Sequence, residues 1–460
     1  MNKMRERKQF YKSVLYLLIP MALQNLINVA VQSADVIMLG RLKESEVILS
    51  ASSLAGQVCF ILNLIFFGLT SGVSVLVAQY WGKKDITSIE IIWGIAMRFA
   101  IVIGLIFTML TLAFPKQIMA LFSSDAGVIC EGTKYLRIVC ISYLFIAFTM
   151  IYLNVMKSME KVVISTLVYL ISLVINIICN YIFIYGKLGC PALGIEGAAI
   201  GTVIARISEF VITLVYNRYY NKVVQFHFRF LCVRDKILSG DFIKFSMPVV
   251  VNELMWGLGM AVNSAIIGNL GSAASSANAI VQVVRQLSMV IGLGIATATA
   301  VMIGKVIGEG KMKLAREYGK RFMQLAVFAG ILGSLVVLVV RPFILHTMNL
   351  GPTAKGYLGF MMYIMAYYVI FQSISTTGIV GVFRAGGDTK FGLYIDVSCL
   401  WFVSILFGIF AAFVWKLDVK YVYIILMLDE VVKQPFVFWR YKTYRWLKNI
   451  TRNQTNLEGK

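Results

Sequence analysis

Apolar residues fill long uninterrupted stretches of this chain, and polar residues are largely confined to the short segments between them. None of the long runs, such as 163–184 and 325–340, alternates apolar and polar positions as the strands of a membrane barrel do. Runs of about 20 apolar residues are long enough to cross a bilayer as helices. The pattern predicts twelve spans, at 14–39, 53–80, 91–113, 135–155, 163–185, 197–216, 246–267, 279–303, 322–340, 357–382, 391–414 and 421–439.

The composition indicates an all-α, polytopic membrane protein. Of the 460 residues, 59% are hydrophobic and 14% are charged, and the mean hydropathy is +0.81. A soluble domain has roughly a quarter of its residues charged. The net charge of +21 lies mainly in loops and tails rather than on an aromatic-interleaved surface, so we expect no nucleic-acid partner. The seven scattered cysteines lie mostly in apolar runs and are predicted to be free thiols.

The distribution of basic residues predicts the orientation in the membrane. With the N-terminus on the cytoplasmic side, the tails and the even-numbered loops carry 29 Lys and Arg residues, whereas the opposite loops carry nine. Basic loops are retained on the cytoplasmic side. We therefore expect a multi-pass protein of the cell membrane with both termini, and the basic connection at 217–245, in the cytoplasm.

The two halves of the chain are related in sequence. Pro20 precedes the segment 34–40 by the same interval at which Pro248 precedes 262–268, an offset of 228, and later landmarks keep nearly the same offset. Each half holds an even number of spans, so both enter the membrane from the same side and are related by a pseudo-twofold axis along its normal. The predicted domains are an N-lobe at 1–216, a linker at 217–245, a C-lobe at 246–439 and a basic tail at 440–460.

Charged residues inside spans are expensive and are usually functional. Neither Asp35 nor Glu253 has a cation three or four residues away in its own span. Asp35 is predicted to bind a cation or a proton, the alternative being a protonated carboxyl hydrogen-bonded inside the helical bundle; for Glu253 a structural role is equally compatible. The other charges are predicted either to pair on one helix face or to extend toward the membrane interface. The predicted pairs are Arg206 with Glu209 and Lys433 with Asp429 and Glu430, and the predicted interfacial side chains are Arg98, Arg137 and Arg285.

Several segments together resemble one known family, the multidrug and toxic compound extrusion (MATE) transporters, over nearly the whole chain. They are the first-span pattern from Pro20 to Asp35 and Gly40, the run Val77-Ala78-Gln79-Tyr80-Trp81-Gly82-Lys83, the fifth span with Asn176 that ends in Tyr185-Gly186, the segment from Gly194 to Thr202, and the segment from Phe383 to Thr389. The resemblance implies two six-helix lobes that form a V-shaped cavity. It also implies export of organic cations in exchange for Na⁺ or H⁺.

In the damage-inducible (DinF-type) branch of that family, the coupling site lies in the N-terminal lobe. It uses a first-span Asp, two fifth-span positions one helical turn apart and a sixth-span Thr, which correspond here to Asp35, Asn176, Asn180 and Thr202. Carboxylate, amide and hydroxyl oxygens suit a hard cation. Asn180 stands where the family commonly has a second carboxylate, which lowers the expected cation affinity and leaves both H⁺ and Na⁺ open. Alternatively, the two asparagines hydrogen-bond between helices.

In the NorM-type branch, the resemblance implies acidic residues in the seventh and tenth spans. Glu253 lies in the seventh span but out of register with Pro248, and the tenth span has Gln372 instead of a carboxylate. Glu253 is predicted to attract either an ion or a cationic substrate. Soft, aromatic and polar side chains accommodate varied lipophilic cations, although they also pack or face lipid. The predicted cavity residues are Gln24, Asn28, Met38, Glu253, Met255, Trp256, Met260 and Gln372.

The predicted function is therefore secondary active multidrug efflux by alternating access. We expect lipophilic or cationic drugs and membrane lipid as partners, a monomer, and no cofactor beyond a coupling ion, H⁺ or Na⁺. A lipid-linked oligosaccharide flippase is the alternative within the superfamily, but Asp35 and Glu253 oppose the cationic cavity that a pyrophosphate favours. A membrane-embedded enzyme is the alternative of another class. Its weakness is that the two histidines, His227 and His346, lie in predicted loops with no metal-ligand or nucleophile–base spacing.

Overall fold

The computed structural model describes residues 2–42, 45–348 and 350–452, and within these ranges it is almost wholly helical and contains no β-strand. The all-α prediction is confirmed. The α-helices are α1 (Asn2–Leu39), α2 (Ser45–Lys83), α3 (Ile86–Ala113), α4 (Pro115–Phe122), α5 (Ala126–Val139), α6 (Ser142–Ser158), α7 (Val163–Tyr185), α8 (Ile195–Val215), α9 (Lys236–Asn269), α10 (Ser272–Ser288), α11 (Val290–Gly308), α12 (Met312–Thr347), α13 (Pro352–Thr376), α14 (Thr389–Ser398), α15 (Leu406–Ile409), α16 (Val419–Leu426) and α17 (Asp429–Lys442). Short π-helical segments, Tyr216–Tyr220, Thr377–Phe383, Cys399–Ile405 and Phe410–Val414, and a 3-10 turn, Phe228–Leu231, lie between or extend them.

Twelve helical segments match the twelve predicted spans, but three of these segments, the fourth, the eighth and the twelfth, are interrupted. In the described ranges, ten helices are individually long and apolar enough to cross a membrane, and α5 with α6, bent by 53°, supplies an eleventh. That bent pair is the fourth predicted span. The twelfth is α16 with α17, which are separated by Met427 and Leu428. Charged residues in the first two turns of α17 make this last span the least apolar.

The helices extend beyond the apolar cores that predicted them. Helix α1 begins at Asn2 rather than near residue 14, and α9 begins at Lys236, inside the predicted linker. Each contains a proline in its interior, Pro20 and Pro248. Proline removes one backbone hydrogen bond, a loss that membrane helices tolerate because neighbouring helices can satisfy the freed carbonyl.

The eighth predicted span is broken at Met289 into α10 and α11. The prediction that Arg285, near the end of α10, extends to the membrane interface is wrong, since its side chain is only 8% exposed. Its guanidinium instead interacts electrostatically with the hydroxyls of Tyr368 on α13 and Tyr423 on α16. The Arg285 side chain on α10 is therefore turned into the protein, where its positive charge lies near two tyrosine hydroxyls.

The order of helices repeats along the chain, as the sequence landmarks predicted. Helix α3 begins at Ile86 and α12 at Met312, 226 positions later. Helix α8 ends at Val215 and α17 at Lys442, 227 positions later. The breaks differ between the repeats, because α2 is continuous where the second repeat has α10 and α11. We refer to corresponding positions as repeat-equivalent.

Backbone proximity divides the chain into two compact units. The N-unit consists of Leu23–Val73 and Ile86–Phe242, and the C-unit consists of Met1–Ala22, Ser74–Asp85 and Ile243–Lys460. One boundary, between Phe242 and Ile243, falls within the predicted linker. The others divide α1 and α2, so the two units are not simply the two halves of the sequence.

In the N-unit, the segment after α8 folds back onto α3. Trp93 on α3 is fully buried, with its ring 5.1 Å from that of Tyr152 and 5.3 Å from that of Phe226. Next to it, a Cβ added at Gly94 would lie 2.3 Å from the carbonyl oxygen of Phe230. The glycine allows the linker backbone to approach the helix closely.

In the C-unit, residues after α17 are docked by a buried glutamine. Gln79, within the run 77–83, donates from Nε2 to the carbonyl oxygens of Ala385 (2.8 Å) and Lys448 (3.1 Å), and its Oε1 accepts from the Ile450 backbone N–H (2.9 Å). Trp446 is fully buried, and a Cβ at Gly386 would lie 1.7 Å from its carbonyl oxygen. We call residues 446–452 the docked segment.

Candidate functional site

The structure joins three of the four predicted coupling residues in the N-unit by hydrogen bonds. The side-chain amide of Asn180 on α7 donates to Asp35 Oδ1 on α1 at 2.5 Å and to Asn176 Oδ1, one turn away, at 3.3 Å. Both asparagines are buried, with Asn180 fully inaccessible. A carboxylate that accepts such a bond in a buried place is partly compensated for the loss of water.

The carbonyl oxygen of Asn180 is buried and has no hydrogen-bond partner. It lies where α8 comes closest to α7, at Gly201, since a Cβ at that glycine would lie 2.3 Å from this oxygen. Buried carbonyl oxygens without partners are uncommon and call for an explanation, such as a bound ion. Here the oxygen belongs to the same amide that contacts Asp35, so a modest movement could bring both to one cation.

Thr202 adjoins this contact without joining it. Its hydroxyl donates to the Ala198 carbonyl at 3.0 Å, and Tyr135 on α5 hydrogen-bonds its side chain. Among the described residues, Thr202 makes no hydrogen bond to Asp35 or Asn180. Thr202 follows Gly201, so it lies on α8 next to the place where this helix approaches Asn180. The convergence of all four residues on one ion stays a prediction.

A buried ion pair lies further along the same two helices. Arg206 donates to Glu209 at 2.7 Å, and Ser172, one turn from Asn176 on α7, donates to the same carboxylate oxygen at 2.6 Å. The predicted pairing of Arg206 with Glu209 is confirmed. Arg206 also exerts an electrostatic attraction on Asp35. Buried polar groups thus continue from Asp35 along the α7–α8 contact to Glu209.

In the C-unit, Glu253 has a cationic partner that its own helix does not provide. Arg384, just after the π-helical segment that extends α13, donates to Glu253 at 2.9 Å, and both side chains are poorly exposed. The interpretation of Glu253 as an unpaired carboxylate holds only within its span and is wrong for the fold. A paired carboxylate offers less attraction to a cationic substrate than an isolated one.

Of the two predicted partners of Lys433, Glu430 is confirmed, whereas no ion pair with Asp429 is present within the described residues. Lys433 contacts Glu430 at 2.9 Å, one turn away, and Asp396 on α14 at 2.8 Å. Asp396 in turn accepts from the Asn252 amide on α9 at 3.1 Å. Polar or charged side chains from α9, α14 and α17 therefore lie close together within this unit.

The remaining predicted cavity residues occupy varied environments. In the N-unit, Gln24 is buried, Asn28 is exposed, and the backbone oxygen of Met38 accepts from the Tyr185 hydroxyl at 2.8 Å. In the C-unit, the backbone oxygen of Met255 accepts from the Trp401 indole at 3.2 Å. Trp256 and Met260 are half-buried, and Gln372 is buried with an unpartnered carbonyl oxygen. Their assignment to a cavity stays a prediction.

The Asp35 region combines one carboxylate, an unpartnered amide oxygen and a second amide oxygen, with the Arg206 charge nearby. A proton on Asp35 would remove the negative charge that the Asn180 amide now stabilises. A metal cation would instead require the amide to turn its oxygen toward the carboxylate. Either event would change the bond between α1 and α7.

Three residues at these sites escaped the sequence analysis. Gly201 is the most informative, because a glycine inside an apolar helix often marks a close approach and this one belongs to the segment that carried the family resemblance. Tyr135 gave no signal beyond its position in a span. Arg384 could not be paired with Glu253, because 131 residues separate them.

Comparison with known proteins gives matches over most of the chain. The family model MatE matches twice, at residues 20–182 and 248–410, and the two matches are offset by the same 228 positions as Pro20 and Pro248. The chain is 22% identical over 458 residues to "Probable multidrug resistance protein YoeA" of Bacillus subtilis, covering 97% of each. It is 25% identical over 400 residues to "Probable multidrug resistance protein NorM" of Rhizobium meliloti, covering 85% of this chain and 84% of that protein. The crystal structure of a mutant of the Vibrio cholerae MATE transporter VcmN shares its fold, with a TM-score of 0.85 at 16% identity, over 95% of this chain and 98% of the other.

Proposed function

Because the chain belongs to the MatE family of membrane transporters, we propose that it exports multiple drugs by secondary active transport, taking up H⁺ or Na⁺ in exchange. Both curated relatives are named as multidrug resistance proteins, which supports drugs as the substrate class. The family is one of transporters and not of enzymes. The substrates are lipophilic or cationic compounds, as the carboxylates and aromatic side chains in the spans favour.

One observation carries the coupling: the bond from Asn180 to Asp35, made by an amide whose own oxygen is buried and unpartnered. In the ion-free state the amide N–H stabilises the carboxylate. Binding of H⁺ neutralises Asp35, and binding of Na⁺ recruits the amide oxygen, so each ion disfavours the present bond between α1 and α7. An ion that binds one conformation more tightly shifts the population toward it.

Exchange requires that drug and ion favour opposite conformations. Asp35 is the group whose charge changes, Asn180 and Asn176 supply amide oxygens, and Thr202 supplies a hydroxyl as α8 moves relative to α7. With a single carboxylate in this set, Na⁺ meets only one formal negative charge. Proton coupling needs no further ligand, and Na⁺ coupling needs the rotation of the Asn180 amide.

In the proposed topology the protein lies in the cell membrane, with both termini and the linker at 217–245 in the cytoplasm. The excess of Lys and Arg in those segments supports this orientation. The N-lobe at 1–216 and the C-lobe at 246–439 give alternating access to the drug, followed by the tail at 440–460. We propose that the transporter works as a monomer surrounded by membrane lipid.

Ethidium efflux from energised vesicles, with a Na⁺ gradient or a pH gradient imposed separately, tests this function. The gradient that drives efflux identifies the ion. Asp35→Asn should reach the membrane at the wild-type level and lose efflux, because it removes the charge while retaining the shape. Asp418→Asn is the matched control, since Asp418 is exposed and caps α16 through the Lys420 backbone N–H. Wild-type efflux by Asp35→Asn would contradict the proposed coupling role.

A further inference from the structure

The repeat relation places a second set of polar residues in the C-unit at positions equivalent to the coupling residues. At the 228 offset of the first helices, Asp35 is equivalent to Asn263 on α9. At the 227 offset of the last helices, Thr202 is equivalent to Asp429, and Arg206 to Lys433. The first repeat therefore has its carboxylate on its first helix, and the second repeat has it on its last.

Packing brings these two helices together at the level of the site. A Cβ at Gly408 would contact Leu426 at 2.3 Å and Ile266 at 3.8 Å, so α9 and α16 meet at this glycine. Asn263 lies three residues before Ile266, and Asp429 lies three residues after Leu426. Spans 7 and 12 run in opposite directions in the predicted topology, so both steps lead the same way along the membrane normal. The step on α9 is about one helical turn, and the step from Leu426 to Asp429 crosses the short break between α16 and α17.

The charges around Asp429 do not balance. Asp429 is 4% exposed and makes no ion pair within the described residues, while Lys433 is already shared by Asp396 and Glu430. The other nearby cation is Arg285, which faces Tyr368 together with Asp429, Glu430 and Lys433. Three carboxylates thus stand against two cations, and a buried uncompensated charge is strongly unfavourable. One additional positive charge would neutralise the group.

In the part of the chain that the structure describes, the groups around Asp429 include acceptors but no further cation. Tyr368 on α13 and Cys399 on the π-helical segment that follows α14 face Asp429. Within the described residues, several buried side-chain oxygens near this group have no hydrogen-bond partner: Oε2 of Glu430, Oδ1 of Asn263, Oδ1 of Asn252, Oε1 of Gln434 and the Tyr423 hydroxyl. A proton bound to the carboxylate would neutralise its charge. It would also give the carboxyl an O–H group that can donate to an acceptor that now lacks a donor.

We propose that the C-unit carries its own proton site, in which the Asp429 carboxyl binds one proton and donates it to the carbonyl oxygen of Asn263. The site is the repeat-equivalent of the Asp35 site, with the carboxylate moved from the first helix of the repeat to the last. The Asp396–Lys433–Glu430 set holds the surrounding charge fixed. A role of the Asp429 proton site in coupling rests on the proposed exchange function. The existence of the site does not rest on it.

Infrared difference spectroscopy of the full-length protein in lipid nanodiscs, between about pH 5 and about pH 9, tests the site through the carbonyl band of protonated carboxyl groups. Asp429→Asn should remove a band that Asp35→Asn leaves in place, and should release about one proton fewer per protein in a dye-monitored pH jump. Asn263→Leu should shift the frequency of that band, because the protonated carboxyl loses its acceptor. Asp418→Asn should match the wild type, since the Asp418 side chain is exposed and makes no ion pair with this group in the described residues.

An unchanged band and proton count in Asp429→Asn would overturn the inference, as would a Na⁺-dependent loss of the band showing that the metal is the natural occupant. If Asp429→Asn does not fold, Asp429→Glu provides the test. If residue 429 binds the proton, this substitution should shift the carbonyl band, whereas a carboxylate that stays ionised contributes no such band to shift. The two proposals fail separately. A protein without drug efflux that retains the Asp429 band refutes the function alone, and efflux dependent on Asp35 without that band refutes the second site alone.

Discussion

Gly201→Ala offers a sharp test of the geometry at Asn180. The added Cβ would lie 2.3 Å from Asn180 Oδ1, and restoring a contact of 3.0–3.4 Å requires the amide to retreat by about 0.7–1.1 Å. Rotating the amide does not relieve the clash, because its NH₂ group needs the same space. This movement would displace the amide from its present position, in which it donates to Asp35 at 2.5 Å, and should weaken that bond.

The expected magnitude follows from that bond. A hydrogen bond to a charged group contributes about 1.5–3 kcal/mol. Because this bond stabilises the ion-free carboxylate, its loss should raise the affinity of Asp35 for a coupling ion by about 10- to 150-fold. Overpacking should also lower the free energy of unfolding by about 1–3 kcal/mol. Ion binding by isothermal titration and ethidium efflux from vesicles measure the first effect, and thermal unfolding measures the second.

Gly56→Ala is the matched control, because Gly56 lies in helix α2 of the same unit and an added Cβ meets nothing within 4 Å. It should leave ion affinity and efflux at the wild-type level. In an Asn180→Ala background, Gly201→Ala should cost little, since the clashing oxygen is gone and the nearest remaining atom of residue 180, its backbone nitrogen, is 3.3 Å away. If Gly201→Ala behaves like Gly56→Ala in all three assays, the Asn180 amide does not take part in ion binding.

Three other substitutions test separate parts of the structure. Asn180→Asp should increase Na⁺ binding at about pH 8 and make efflux more Na⁺-dependent, because a second carboxylate attracts the metal while protons compete less; unchanged titration and transport would remove residue 180 from the ion site. In a cysteine-free background, Ser272→Cys should react with an impermeant thiol reagent outside whole cells and Ser239→Cys should not; the reverse labelling would refute the topology. Glu253→Gln or Arg384→Met alone should lower the free energy of unfolding by about 3–5 kcal/mol, and the double variant by much less, because one charge without its partner stays buried; additive losses in thermal melts would argue against the pair.

The sequence predicted the helices and the repeat because both are repetitive, short-range signals. Apolar run length gave the spans, and landmarks such as Pro20 and Pro248 gave the repeat. The contact of Asp35 with Asn180 came only from the family resemblance. Nothing in the local sequence pattern shows which helix an asparagine inside an apolar span will contact.

The errors concern partners that are remote in the sequence. Arg285 resembles any arginine near the end of an amphipathic helix, and its burial depends on Tyr368 and Tyr423, which belong to distant helices. The pairing of Glu253 with Arg384 does not follow from the sequence, because only neighbours three or four positions away can be judged from one sequence. Helix breaks, such as that at Met289, are equally hard to foresee, since no proline or glycine stands at that residue.

The docked segment has a consequence for how the protein is made. Gln79 depends on residues 369 and 371 positions further along the chain for two of its hydrogen bonds. At a synthesis rate of about 5–20 residues per second, a ribosome needs roughly 20–70 s to make that intervening stretch. During this interval the end of α2 already exists, but its buried amide lacks those two partners. A nascent protein that stalls before residue 448 should therefore be a preferred target for membrane proteases, even when all twelve spans have been inserted.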